Sequence, residues 1–240
     1  MSEHTTQANE RIEELFRVGA HFGYSRARRH ASMKPYLYGV RNGVDIIDLE
    51  KTIQLADVAH AFIKDLAQAG KKVLFVGTKP EAKNAVELAA NSLGLPYVSE
   101  RWIGGSLTNF PEMKKRKDRM KELLGLQEKG GMDKYTKRER GILDRELRDL
   151  QTNFGGVADM DTLPSAMFVV DPRAEDIAVA EAIKMRIPVI ALANSDCSIR
   201  GIAYPIVAND AGVTSVAHVV EGVKNAYAEG KKATPQVVPQ

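Results

Sequence analysis

The stretch KKVLFVGTK, residues 71–79, decides the fold. Val73, Leu74, Phe75 and Val76 form a continuous apolar run, bounded by lysines on one side and by Gly77 on the other. Such a run reads as a strand buried on both faces, the state of a strand inside a parallel sheet. Thr78 and Glu81 stand at capping-box spacing, and Pro80 falls in a first turn, where its missing N–H costs nothing. A helix over 80–93, ended by Gly94, is expected. Strand, tight turn and helix make half of a βαβ unit.

Outward from this unit the pattern repeats. Downstream, strands are predicted at 97–99, 166–170, 187–193 and 204–207, with helices at 175–185 and 213–229. Upstream, residues 36–40 and 44–47 flank Arg41-Asn42-Gly43, and Asn-Gly is the strongest short hairpin signal. Asp48 is the expected N-cap of a helix over 49–69. A short amphipathic helix is expected over 11–18, and the polar residues 1–9 are expected to be disordered.

Between Ser106 and Asn153 the pattern changes. Phe110, Met113, Met120 and Leu124 follow an a/d-like seam in which Lys117 fills one place, and Leu143, Leu147, Leu150 and Phe154 follow another. Asn109/Glu112 and Thr136/Glu139 have capping-box spacing, and Gly130-Gly131 and Gly155-Gly156 break the two helices. This predicts an antiparallel coiled-coil hairpin set into an α/β domain. The expected organisation is a first α/β part with a basic arm at 1–105, the hairpin at 106–154, a second α/β part at 155–229 and a disordered tail at 230–240. On this reading the α/β domain would fold without residues 107–153.

With 240 residues, 44% of them hydrophobic, the chain can bury a substantial core. No apolar run reaches the length of a membrane span, and the N-terminus has no apolar h-region. One cysteine, Cys197, excludes an internal disulfide and points to a reducing, cytoplasmic compartment. The net charge of +3 conceals segregation. Between Leu15 and Val44 stand Arg17, Arg26, Arg28, Arg29, Lys34 and Arg41, with no Asp or Glu. From Ser106 to Asn153 there are 13 Lys and Arg against 9 Asp and Glu, which leaves −7 for the rest. Segregated positive charge is the footprint of a polyanion partner.

An open α/β sheet holds ligands at the carboxyl ends of its strands, so a nucleotide-binding enzyme has to be weighed. The 19 glycines include no Gly-x-Gly, and no G-x-x-x-x-G-K-[ST] occurs. Gly77-Thr78-Lys79 could turn N–H groups toward a phosphate, but a plain strand-to-helix turn accounts for it. Cys197 has no nearby histidine. His4, His21, His30, His60 and His218 show no metal-ligand spacing. Asp196 and Asp210 follow strand ends, where turn capping is the expected role. No catalytic residue is assigned.

The basic regions suit RNA better. Arg26, Arg28, Arg29 and Lys34 lie among His21, Phe22, Tyr24, His30, Tyr36 and Tyr38, and this mixture serves phosphate pairing and base stacking. The loop holds no acid of its own, so its guanidinium groups are expected to be free. Lys114, Lys115, Arg116, Lys117 and Lys121 crowd the first hairpin helix, and Lys137 and Arg138 open the second.

The words GAHFGY at 19–24, KPYLYGVRNGVDIIDLEKT at 34–52, KKVLFVGTK at 71–79, RWIGGSLTNF at 101–110, TLPSAMFVVD at 162–171, IPVIALANSD at 187–196 and YPIVAND at 204–210 are similar to those of the bacterial small-subunit ribosomal protein two family. They stand in family order over nearly the whole chain. The resemblance implies a flavodoxin-like three-layer parallel sheet with an inserted antiparallel coiled-coil helical hairpin, no enzyme activity and no cofactor. It implies binding to 16S-type small-subunit ribosomal RNA on a cytoplasmic ribosome, beside neighbouring small-subunit proteins. In some bacteria these include ribosomal protein one. Through the matching words it adds Asn42, Arg101, Trp102 and Asn109 to the RNA-binding set named above. Tyr24 stands where relatives have a second histidine and Leu192 where they often have an aspartate, so no metal is expected near His21.

Overall fold

The structure, a computed structural model, describes the backbone of residues 2–233 and the side chains of 9–131 and 134–233. The chain opens with α1 (Ser2–Arg17), β1 (Phe22–Ser25), β2 (Leu37–Arg41), β3 (Val44–Ile47) and α2 (Leu49–Gln68). There follow β4 (Val73–Val76), α3 (Pro80–Leu93), β5 (Tyr97–Val98), α4 (Phe110–Glu128) and α5 (Lys137–Phe154). It closes with β6 (Ala166–Val170), α6 (Asp176–Lys184), β7 (Val189–Ala193), β8 (Tyr204–Val207) and α7 (Val213–Ala233).

The result is a mixed α/β fold. Five strands form a wholly parallel sheet in the order β5-β4-β6-β7-β8. Val73 to Val76 pair with Ala166 to Val169, and every one of these side chains is buried, as the unbroken apolar runs require. Val73, Phe75, Phe168, Ile190 and Ile206 face α2, α3 and α7. Phe75 and Phe168 meet edge to face, 5.4 Å apart. Leu74, Val76, Met167, Val169 and Val189 face the other way, toward α6, Trp102, Leu107 and the base of the α4–α5 pair.

A second sheet, antiparallel and ordered β1-β3-β2, carries the basic arm. Its β2–β3 turn is the expected Asn42-Gly43, both at left-handed φ (52° and 78°), as a two-residue type I′ turn demands. Strand β1 falls where only a loop was expected.

Other expectations need correcting. Helix α1 begins at Ser2, not near Arg11, so residues 2–9 are helical rather than disordered; Met1 lies outside the described residues. Its C-terminal half is held by tertiary contacts that no local pattern shows. Leu15 is buried, and Arg11 makes a two-toothed pair with Asp57 of α2 at 2.5 and 3.1 Å. Helix α7 runs on to Ala233, past Gly230, where a Cβ would strike the Lys64 carbonyl and Ala67. That glycine lets two helices close together; it does not stop one. The rest of the expected tail, 234–240, lies outside the described residues.

The capping box holds at Thr136 and Glu139 but not at the other two sites. The Asn109 side chain makes no cap bond, and Thr78 turns instead to Glu175. Between α4 and α5 the seam runs through Met113, Lys117, Met120 and Leu123 against Leu147, Leu150 and Phe154. Leu123, not Leu124, is the fully buried member.

Candidate nucleic-acid interface

The strand order of the parallel sheet reverses between β4 and β6, and in an open α/β sheet a ligand enters there, beyond the carboxyl ends. This crevice is filled from within. Lys79, just after β4, places its ammonium 2.9 Å from Asp171 after β6 and 3.1 Å from Asp210 after β8. The Asn194 amide donates to Asp210 at 2.9 Å, and the Lys79 ammonium lies 3.5 Å from the Tyr24 hydroxyl. Asp210 is therefore an ion-pair partner rather than a turn cap. Burial works against the Lys79 ammonium, but its bonds to the two carboxylates outweigh burial and raise its pKa. Burial and the neighbouring Asp171 charge push Asp210 up to about 6.

Asp171, Cys197 and Asp210 hold potential metal-ligand atoms within 4.8 Å of one another, and the Lys79 ammonium supplies the positive charge between the two carboxylates. Burial and the Asp171 charge push the Cys197 thiol up, the reverse of what a nucleophile needs. Gly77 is explained by packing, since a Cβ there would lie 2.9 Å from Val86 and 3.1 Å from Ala82 of α3.

This arrangement has measurable consequences. Lys79→Met leaves two buried carboxylates without their cation and is expected to cost about 3 kcal/mol of stability, while titration with ATP, GTP or NAD stays flat for wild type and variant alike. A stoichiometric nucleotide site lost in the variant would sink this reading. The pH dependence has a definite sign. Between about pH 4 and 6 the folded state keeps an Asp210 proton that the unfolded chain has released, so this group's contribution to stability falls as pH rises. In urea titrations, Asp210→Asn should gain on wild type across that window and hold a constant offset above it. A gap that does not change with pH would exclude the assignment.

The loop 101–109 feeds α4 and is organised by one carboxylate. Glu181 of α6, buried, accepts from Trp102 Nε1 at 3.1 Å and from the Gly105 N–H at 2.7 Å through one oxygen. Its other oxygen accepts from the Leu107 N–H, the Thr108 N–H and the Thr108 hydroxyl, all at 3.0 Å. Burial alone would raise its pKa; the donors from Thr108, Gly105, Leu107 and Trp102 overcome that and hold it below the ordinary carboxylate value. Trp102 is thus an internal strut. Its indole is buried against Glu181, so the RNA contact that the resemblance implied for Trp102 has no exposed side chain to make it. Arg101 and Asn109, on either side, are exposed.

The basic arm is less free than its own composition suggests. Arg29 forms a two-toothed pair with Asp45, whose carboxylate is fully buried. Arg28 reaches Asp196 at 2.8 Å and lies over the Tyr24 ring at 4.2 Å. Asp196 also takes Arg173 at 2.7 Å, so it too is an ion-pair partner and not a cap. The acids missing from the arm are supplied by β3 and by the loop after β7. Arg17, Arg26, Lys34, Arg41 and Asn42 are exposed, and among the described residues no side-chain acid meets Arg26 or Arg41. His21 stacks on Phe16 at 4.2 Å, with its Nδ1 buried and unpartnered. Its pKa is lowered by burial.

On the hairpin, Lys114, Lys121, Lys137 and Arg138 project to solvent, and Lys115 and Arg116 do so while pairing with Glu112. Lys117 does not. It is 2% exposed, donates to the Met160 carbonyl and sits 5.5 Å from the Phe110 ring. Burial lowers its pKa. It is a seam residue and drops out of the surface set. Sequence reasoning missed Arg145 and Arg148, exposed on α5 at seven and ten residues from Arg138. Helical spacing alone puts these three on one side.

A ligand crevice closed by the chain's own ion pairs, with exposed cationic side chains on an arm and on the α4–α5 pair, defines an α/β protein whose charge lies on its surface and not in its crevice. Comparison with known proteins makes this specific. A family model described as Ribosomal protein S2 matches residues 15–230. A small ribosomal subunit protein uS2 of Coprothermobacter proteolyticus is 40% identical over 227 residues, 95% of this chain and 85% of that protein. Proteins of the same name from Geotalea uraniireducens and Nocardia farcinica are 40% and 42% identical, over 94% and 92% of this chain and 88% and 78% of theirs. The chain belongs to the ribosomal protein S2 family.

Proposed function

We infer that the chain works as its family does, as a structural constituent of the small ribosomal subunit in translation and not as an enzyme. The family match carries the reading. The closed crevice supports it, because the place where an α/β enzyme would take its ligand is spent on Lys79, Asp171 and Asp210. The described strand order, with the first crossover reversed, supports reading the sheet as flavodoxin-like, and the α4–α5 pair is read as its inserted coiled coil.

The RNA-binding set we propose is the expected one without Arg29, Lys117 and Trp102 and with Arg145 and Arg148 added. Within the arm, Arg26, Lys34, Arg41 and Asn42 are assigned to 16S-type ribosomal RNA, and Arg29 to the fold. The exposed Phe16, Phe22, Tyr38 and Val40 line an apolar groove of about 730 Å³ on the antiparallel sheet, a surface that suits a protein. We assign it to neighbouring small-subunit proteins, ribosomal protein one among them.

The arm separates the two roles experimentally. Arg29→Ala strands a fully buried Asp45 carboxylate and is expected to cost about 3 kcal/mol. Arg26→Ala should leave the thermal midpoint unchanged and weaken binding to purified small-subunit ribosomal RNA several-fold. Cosedimentation and calorimetry on both variants decide it. Full RNA binding by Arg26→Ala, together with a loss in Arg29→Ala at unchanged stability, would reverse the assignment.

A further inference from the structure

The hairpin seam divides the surface of α4 and α5 into two unlike sides. On one, α4 shows Lys114 and Lys121 with Asp118, Glu122 and Glu128. On the same side α5 shows Lys137, Arg138, Arg145 and Arg148 with Asp144 alone. The opposite side carries Lys115, Arg116 and Arg119 against Glu112, Glu139, Glu146 and Asp149, with Lys115 paired to Glu112 at 3.1 Å. The ion pairs concentrate on that second side or lean toward it. Arg119 bonds Glu146 across the hairpin at 2.9 Å and Glu122 at 2.9 Å, and Arg116 approaches Glu112. Among the described residues no ion pair engages Lys114, Lys121, Lys137, Arg145 or Arg148. One side is cationic and open, the other anionic and neutralised.

Two glycines lie on the cationic side. Gly125 is in the last turn of α4 and Gly141 in the second turn of α5. Neither has left-handed φ; the residue of that kind at the end of α4 is Gly130. A Cβ built on either meets nothing within 4 Å. Glycine is the poorest helix former after proline, and no packed neighbour calls for it at either place; what meets Gly141 is its own helix, the Arg145 Nε donating to its carbonyl at 3.0 Å. The Arg119–Glu146 pair fixes the antiparallel register, and in that register Gly125 stands level with Arg140 and Gly141. The two stretches, each without a side chain at its glycine, therefore stand at the same level on the two helices. Lys121 and Lys137 lie one turn away from the pair in opposite directions along the rod, each about 6 Å off at 1.5 Å per residue.

We propose that Gly125 and Gly141 form a saddle on the cationic side of the hairpin that seats the sugar–phosphate backbone of an RNA helix, with Lys121 and Lys137 bracketing it. This rests on the RNA-binding reading above and names the part of the hairpin that RNA approaches most closely. The occupant is assigned by charge and shape. The side is cationic, the saddle offers no apolar side chain to a protein, and backbone recognition of A-form RNA works through phosphate and 2′-OH contacts rather than base edges.

The test is made on the full-length protein with purified 16S-type ribosomal RNA and with small subunits depleted of this protein. The double variants Gly125→Ala/Gly141→Ala and Gly125→Gln/Gly141→Gln place better helix formers in open space, so the thermal midpoint should hold or rise. RNA affinity should nevertheless fall, about threefold for the alanines and about tenfold for the glutamines. Lys121→Ala/Lys137→Ala should weaken binding and reduce the slope of log affinity against log salt by about two contacts. Wild-type RNA affinity in both glycine variants, with the lysine variant weakened, overturns the saddle and leaves the RNA-binding reading standing. Wild-type affinity in all three overturns the hairpin as an RNA contact. If the glycine variants bind naked RNA normally but fail to enter depleted subunits, the occupant is a ribosomal protein and the proposal is wrong.

Discussion

Replacing Glu181 with alanine is expected to cost about 4 kcal/mol of folding stability, the largest loss of any single side-chain change considered for this fold. Five donors from Trp102, Gly105, Leu107 and Thr108 end on this one carboxylate. Removing it leaves several of them buried without a partner, each worth about 1–3 kcal/mol and not fully additive. For a chain of this size a loss of about 4 kcal/mol lowers the thermal midpoint by roughly 10 °C. Glu181→Gln should cost less, about 2 kcal/mol, since its carbonyl oxygen still accepts while its amide group faces donors. The loop it holds leads straight into α4, so incorporation into small subunits should fall in parallel. Differential scanning calorimetry on the two variants is the measurement. An alanine variant within about 1 kcal/mol of wild type would show that water replaces the carboxylate and that the loop needs no internal anchor.

The parts of this fold that could be read in the sequence are those set by local pattern. Val73–Val76 and Ala166–Val170 are uninterrupted apolar runs, and both are strands at those residues. Asn42-Gly43 is a turn because two consecutive left-handed residues favour Asn and Gly. What could not be read depends on residues far apart in the chain. Trp102, beside the exposed Arg101, counts toward an RNA surface by resemblance until Glu181, 79 positions on, claims the indole. Arg28 is neutralised by Asp196, 168 positions away, and only the finished sheet brings them together. Thr78 looks like a cap until Glu175 takes both its hydroxyl and its N–H. Lys117 is instructive in another way. Its place in the seam was visible, and seam position rather than charge decided its fate. Counting basic residues overstated the interface by those whose partners or burial lay elsewhere.

The same long-range packing revises what the hairpin is worth to the fold. Excising residues 107–153 and joining the flanking loops is expected to abolish cooperative unfolding at 37 °C, rather than leave an intact α/β domain. The reason is the apolar cluster on the second side of the sheet. It runs without a break from Leu74, Val76 and Met167 through Trp102 and Leu107 to Met113, Leu150 and Phe154 at the hairpin base. Helix α6 has only nine residues and cannot cover that side of the sheet by itself. Losing Leu107, Met113 and Leu150 together, at about 2–5 kcal/mol for each large-to-small loss, exceeds the 5–15 kcal/mol of a typical domain at its lower end. A cut farther out should behave differently. Replacing residues 121–146 by a short Gly-Ser turn keeps Met113, Lys117, Leu150 and Phe154 in place and removes only the distal seam around Leu123 and Leu143. That variant should retain a single cooperative transition within a few degrees of wild type and lose affinity for ribosomal RNA, because Gly125, Lys137 and Gly141 go with it. Two deletions with the same melting behaviour would refute the division. If both unfold sharply, the base is not part of the core, and if neither does, the distal seam is as necessary to the domain as the base.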